Sequence, residues 1–193
     1  MTKLGFIGFG NMAQALCGGF VKSGLITKEN IFAFAPNYEK LCGNAEKFGC
    51  TPCKVLKDVV EKCDTLVMAC KPYQIESVLK EIRDSLMGKT LVSVAAGWDF
   101  AKYAALLSVE PSAVTGEYCR LQFVMPNTPA QVFEGVMLFE EANTLTEAEH
   151  KKITELFESL GIVESTPIIN IIKYGAPSQR FTITTTAFAR LPL

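Results

Sequence analysis

Gly8-Phe9-Gly10-Asn11-Met12-Ala13 is a Gly-x-Gly-x-x-Ala run near the start of the sequence. The chemistry would be the grip of a diphosphate. Gly8 permits a tight turn, Gly10 lets a phosphate approach the backbone, and Ala13 lets a following helix pack closely on the preceding strand. Unpaired N–H groups at the start of that helix, at the positive end of its dipole, would hold the anion. This reading needs a strand before the run and a helix after it. Leu4 to Ile7 is an unbroken apolar stretch, and Met12, Leu16 and Phe20 recur at helical spacing. The alternative is a set of glycines that only make a turn.

The elements that must position this run alternate along the chain. Gly24 ends the first helix as a C-cap. Ile31 to Ala35 is an apolar strand broken by Pro36, and Asn37 caps a helix from Tyr38 to Phe48 that stops at Gly49. Leu56 to Cys63 reads as a short helix, Asp64 to Ala69 as a buried strand, Ile75 to Leu86 as an amphipathic helix, and Thr90 to Val94 as a strand. A helix from Phe100 to Leu107, with Asp99 near its start, precedes strands at Tyr118 to Val124 and Val136 to Phe139. Thr146 and Glu149 form a capping box for a helix from Glu147 to Leu160, ended by Gly161, and Ile162 to Glu164 is the last strand. Such alternation predicts an α/β fold: a Rossmann-like, doubly wound, mostly parallel sheet with helices on both faces.

Ligands of such sheets sit at the carboxyl ends of the strands. Five segments should therefore line one crevice: Gly8 to Ala13, Ala35-Pro36-Asn37, Ala69-Cys70-Lys71-Pro72, Ala95-Ala96-Gly97, and Met125 to Pro129. The candidate cofactor-binding residues are Ile7, Gly8, Phe9, Gly10, Asn11, Met12, Ala35, Pro36, Asn37, Ala69, Cys70, Lys71, Pro72, Ala95, Ala96, Gly97 and Asn127. Each has a plainer reading: a solvated cation for Lys71, tight packing for Ala95 to Gly97, turn capping for Asn127 and Thr128.

Composition narrows the classes. Hydrophobic residues make up 49% of the 193, enough for a sizeable core, and a net charge of −1 gives no basic field for nucleic acid. No apolar run reaches the length of a membrane span, and the chain enters a strand at once, so a cytoplasmic protein without a leader is expected. Seven cysteines, an odd number set mostly in apolar segments, read as reduced buried thiols. Cys50-x-x-Cys53 is the one close pair. With no second pair and a single histidine, His150, no metal site is expected. His150 reads as an exposed, solvated side chain on a surface helix.

Gly8-Phe-Gly-Asn-Met-Ala13, Ala69-Cys-Lys-Pro72, Val94-Ala-Ala-Gly97 and Met125-Pro-Asn-Thr-Pro129 with Gly135 together resemble the pyrroline-5-carboxylate reductases, over about residues 3 to 166. The resemblance implies NAD(P)H-dependent reduction of the cyclic imine 1-pyrroline-5-carboxylate to L-proline, in proline biosynthesis. Backbone and Lys71 would reach the ribose or nicotinamide side of the cofactor, and the Asn127 loop would shape the nicotinamide end. Ala35-Pro36-Asn37 lacks the acid that holds a ribose 2′-hydroxyl in NAD enzymes. NADP(H) is therefore preferred over NAD(H), held by backbone with Asn37, Tyr38 or Lys40. Leu56 and Phe123 stand where the family tends to have polar residues, which would weaken cofactor binding.

The chain divides into a dinucleotide-binding domain at 1–166 and a divergent tail at 167–193. In the resembled family a helical domain follows, makes the dimer and holds the substrate carboxylate. Here the family's Gly-Ser-Gly-Pro-Ala signature is not found, and a homodimer is left open. No catalytic residue is assigned. Two other readings stand beside the reductase: a non-catalytic NADP-binding module, and a reductase of another small imine or hydroxyacid.

Overall fold

The computed structural model describes residues 3–107 and 119–168. The first crossover is built as the sequence reading expects: β1 at Leu4–Ile7, a glycine turn, then α1 at Asn11–Ser23. Gly24 closes α1 in the left-handed conformation. β2 (Ile31–Phe34) leads to α2 (Tyr38–Phe48), where Asn37 Oδ1 accepts a hydrogen bond from the Lys40 N–H at 2.9 Å and Gly49 ends the helix. There follow β3 (Thr51–Cys53), α3 (Leu56–Lys62), β4 (Thr65–Met68), α4 (Ile75–Ile82), β5 (Thr90–Ser93), α5 (Phe100–Leu107), β6 (Arg120–Met125), β7 (Gly135–Asn143), α6 (Glu147–Glu158) and β8 (Gly161–Thr166).

The sheet order is β3-β2-β1-β4-β5-β6-β7-β8. Every neighbouring pair is parallel except β6 with β7. The chain runs outward from β1 to β3, then crosses back to β4 on the other side of β1. The switch point, where loops leave to opposite faces, is thus between β1 and β4.

Period-two alternation sorts the strand side chains into two layers. Leu4, Phe6, Val67, Val92 and Phe139 meet Leu16 and Phe20 of α1, Leu41 of α2 and Phe157 of α6. On the other face, Leu66, Leu91 and Leu121 meet Val59 of α3, Leu79 of α4 and Phe100 of α5. Phe157 packs edge-to-face on Phe20 at 5.4 Å and on Phe139 at 5.5 Å, which fixes α6 across the sheet. Burying such a ring contributes about 1.5–3 kcal/mol, and each aromatic pair about 0.5–1.5 kcal/mol more.

Some expectations change. The helix from Ile75 stops at Ile82, and a 3₁₀ turn over Arg83–Ser85 carries the chain to buried Leu86. Asp84 and Ser85 favour such turns through their short polar side chains. β7 is longer than Val136 to Phe139, because its far half pairs with β6 across a bulge between Gln122 and Val124. Gln122 fills that gap, donating from Nε2 to the Phe123 and Glu140 carbonyls at 2.8 and 2.9 Å. Gly161 opens β8 rather than only closing the helix. His150 is half-buried, not solvated: its ring meets Phe139 edge-on at 6.3 Å. The Thr146–Glu149 capping box forms as expected. The start of the strand at Tyr118 and the tail beyond residue 168 lie outside the described residues.

The cysteine pair is taken apart by the sheet. Cys50 packs in the α1–α2 layer and Cys53 in the α3 layer. Three residues along a strand is an odd step, so the two thiols face opposite sides.

Candidate functional site

Four of the five segments are tied together by ladder bonds at the carboxyl ends of the strands. The Gly8 N–H donates to Phe34 O at 2.8 Å, the Ala69 N–H to Ile7 O at 2.8 Å, and the Val94 N–H to Met68 O at 3.0 Å. Gly8 has φ +93°. A Cβ there would lie 2.5 Å from Cys70 N and 2.6 Å from Cys70 Cα, so the glycine turn rests directly on the backbone of the Ala69–Pro72 loop. The switch point therefore brings those two segments into contact.

Gly10 is the opposite case. It is exposed, with φ −79°, and a Cβ there would meet nothing within 4 Å. It is the N-cap of α1, yet no side chain caps that helix and its first turn holds no acid. The N–H groups at this end thus face open space with the dipole's positive field uncompensated. Gln14 adds a brace that the sequence reading did not identify. Its Nε2 donates to Phe9 O at 3.0 Å, and because C=O and N–H of a trans peptide point in opposite directions, the Gly10 N–H is turned away from the helix side. Phe9 itself is buried, edge-on to Phe6 at 5.8 Å and Phe48 at 6.2 Å, so only its backbone is open to a ligand. Ile7 and Ala13 are likewise core residues.

The remaining candidates sit around this turn. Pro36 and Asn37 are exposed at the end of β2, and Asn37's carboxamide oxygen is committed to capping α2. Lys71 and Pro72 are exposed beyond β4. Cys70 is half-buried, its thiol pushed up to about 11 by burial, so it stays protonated at neutral pH. Ala96 and Gly97 are exposed, and the Lys102 ammonium donates to the Gly97 carbonyl. Ala95 is buried beneath them. The loop is anchored by Trp98 stacked edge-on with Tyr103 at 5.3 Å, and Ser93 Oγ donates to the Tyr103 hydroxyl at 2.9 Å. Asn127 braces its own loop: Oδ1 accepts from the Val136 N–H at 2.9 Å. That loop continues into a turn over Thr128–Val132 that lies against α1, with Ala130 O 2.8 Å from where a Cβ on Gly19 would be.

Leu56 and Phe123 are packed among apolar side chains. They are 3% and 1% exposed and fill the apolar core, so neither substitutes for a polar cofactor contact. A residue missed by the sequence reading is Lys54, exposed just past β3, with its ammonium 5.3 Å from the Tyr38 ring centroid. It stands on the same rim as the end of β2 and makes no ion pair among the described residues. The signal was a lysine directly after Cys53, which became legible only once Thr51–Cys53 was placed as a strand beside β2.

The NADP oxidoreductase coenzyme F420-dependent family matches residues 3–97. Beyond that segment the similarity continues in sequence relatives. A pyrroline-5-carboxylate reductase from Treponema pallidum (strain Nichols) is 35% identical over 162 residues, which is 84% of this chain and 60% of that protein. The chain is similar to pyrroline-5-carboxylate reductases. The Escherichia coli (strain K12) pyrroline-5-carboxylate reductase is 30% identical over 163 residues, 84% of this chain and 58% of its own length. The crystal structure of Plasmodium falciparum pyrroline carboxylate reductase with NADP bound superposes with a TM-score of 0.75 at 26% identity, covering 97% of this chain and 66% of that one. This chain thus spans about 60% of the length of the curated pyrroline-5-carboxylate reductases it matches. Among the described residues, no helix is long and apolar enough to cross a membrane.

Proposed function

We propose that the crevice binds NADPH and that the chain is the dinucleotide-binding part of a pyrroline-5-carboxylate reductase, reducing 1-pyrroline-5-carboxylate to L-proline. The observation that carries this is the open, uncapped start of α1 above a Gly8 seated on the Cys70 backbone. Those features fit a dinucleotide: amides for the diphosphate, and room at Gly10 where a side chain would block it. When bound, the cofactor supplies a hydride to the imine carbon. The chain's own part is to hold the diphosphate at Gly10 to Ala13, to align the ribose side along Ala69 to Pro72, and to close the far end with the Ala95–Gly97 and Asn127 loops.

NADPH is favoured over NADH at the outer rim. No acid follows β2 at Ala35-Pro36-Asn37, and Lys40 and Lys54 supply positive charge there for a 2′-phosphate. One observation favours a second reading, a non-catalytic NADP-binding module. The ionisable side chains of the five loops are Cys70 and Lys71 alone, which leaves no evident general acid for the imine nitrogen. A single assay separates the two: NADPH absorbance and proline formation are followed after adding 1-pyrroline-5-carboxylate to the purified chain. Substrate-dependent oxidation with proline produced supports the reductase. Tight NADPH binding with no oxidation supports the module, and no NADPH binding defeats both.

A further inference from the structure

A cavity of about 480 Å³ opens on the side of the sheet away from the glycine turn, at the amino ends of β4 and β5. Its walls come from the turn after α1 (Leu25, Ile26), from α6 (Lys152, Ile153) and from Asp64, with Thr65 and Thr90 as its floor. The volume lies in the range of small-molecule pockets.

The floor is the informative part. Thr65 and Thr90 are paired neighbours in the parallel ladder. On each strand the next residue on the same face is a valine, Val67 and Val92, packed in the α1–α6 layer. The two threonines therefore point into the space under α6. They are 5% and 7% exposed, and neither hydroxyl is among the buried polar atoms left without a partner, so both oxygens are open to the cavity. Valine would pack there equally well, so two hydroxyls side by side give the cavity floor hydrogen-bonding groups that a polar ligand can use. The charges on the walls say what kind. Asp64 and Lys152 are exposed and make no ion pair among the described residues, whereas Glu149 is engaged with Arg120 at 2.8 Å and Glu155 lies 3.9 Å from Lys151. The carboxyl end of α1 adds a negative dipole pole beside Gly24. Leu25, Ile26, Ile153 and Leu156 supply apolar wall.

We propose that this cavity binds a small aliphatic α-amino acid as its zwitterion, at a site separate from the dinucleotide crevice. Its ammonium faces Asp64 and the end of α1, its carboxylate faces Lys152, the threonine hydroxyls bridge to its polar end, and its side chain lies on Ile153 and Leu156. The proposal does not depend on the reductase reading.

The test is calorimetric titration of L-leucine into the whole chain, with N-acetyl-leucine and leucine methyl ester as probes lacking one charge each. The expected result is saturable one-to-one binding of L-leucine, absent for both derivatives. Asp64→Asn and Lys152→Gln should each weaken it about tenfold or more, the loss of one charge-assisted contact. The Thr65→Val/Thr90→Val double variant keeps the core shape, should melt no lower than the parent, and should also weaken binding. NADPH titrations should be unchanged in all three. No saturable heat with L-leucine, binding indifferent to Asp64→Asn and Lys152→Gln, or displacement of leucine by NADPH would each overturn the proposal.

Discussion

Gly8 and Gly10 stand two residues apart in one turn, and alanine at each should fail in a different way. Gly10 has an ordinary φ of −79° and open space where a Cβ would go. Gly10→Ala gains about 0.4–1 kcal/mol by restricting the unfolded chain and loses a similar amount as a poorer N-cap, so stability should hardly move. The new methyl group, however, occupies the space through which a diphosphate must approach. Pushing a phosphate back by roughly its bond length breaks one or two charge-assisted amide contacts, worth about 1.5–3 kcal/mol each. NADPH affinity should therefore fall about a hundredfold. Gly8→Ala meets the Cys70 backbone at 2.5 Å and adopts φ +93°. Backbone cannot rotate aside, so left-handed strain of about 1–2 kcal/mol adds to an overpacking cost of about 1–3 kcal/mol. The melting temperature should drop by roughly 5–15 °C. Thermal melts and fluorescence titration of NADPH on both variants check the pair. A Gly10→Ala protein that binds NADPH as tightly as the parent would refute the reasoning, whatever Gly8→Ala does.

Other outcomes follow from single contacts. Glu140 is buried and accepts the Phe100 N–H at 2.8 Å; burial holds its carboxyl above the usual range, more than that bond lowers it. The folded protein thus takes up this proton at a higher pH than the unfolded chain. Stability from this group is present below the unfolded value and is lost as pH rises through the folded one. Glu140→Gln keeps the acceptor and should flatten that slope in denaturant titrations across mildly acidic pH; an unchanged slope contradicts the assignment. Phe157→Ala removes a fully buried ring shared by Phe20 and Phe139 and should cost about 3–5 kcal/mol in urea unfolding. Thr146→Ala breaks the capping box of α6 and should cost about 0.5–2 kcal/mol, with the parent spectrum otherwise retained.

Where local chemistry dictates structure, the sequence was legible. Asn37 and Gly49 bound α2, Thr146 with Glu149 starts α6, and Gly24 closes α1, because each cap satisfies backbone groups within a few residues of itself. β1, β2, β4 and β5 could be read from short apolar runs, since a strand covered on both faces is apolar along its length. Side-chain orientation was less legible wherever it depends on distant partners. Leu56 and Phe123 could not be told from cofactor-facing positions until the layers were assembled. His150 looked solvated because Phe139, its ring partner, lies on a strand eleven residues earlier. The bulge at Gln122 depends on a side chain reaching across to Glu140 O, and no local pattern announces it. Gln14 and Lys54 were missed at the site itself, since each acts through a contact that only the folded turn or rim creates.

Whether the start of α1 holds the diphosphate can be read from the backbone amide spectrum of the labelled chain during NADPH addition. The amides of Gly10, Asn11, Met12 and Ala13 should shift first and most, with Gly8 and Cys70 following through their contact. NADPH binding that leaves those four amides unmoved and perturbs another surface would contradict the account.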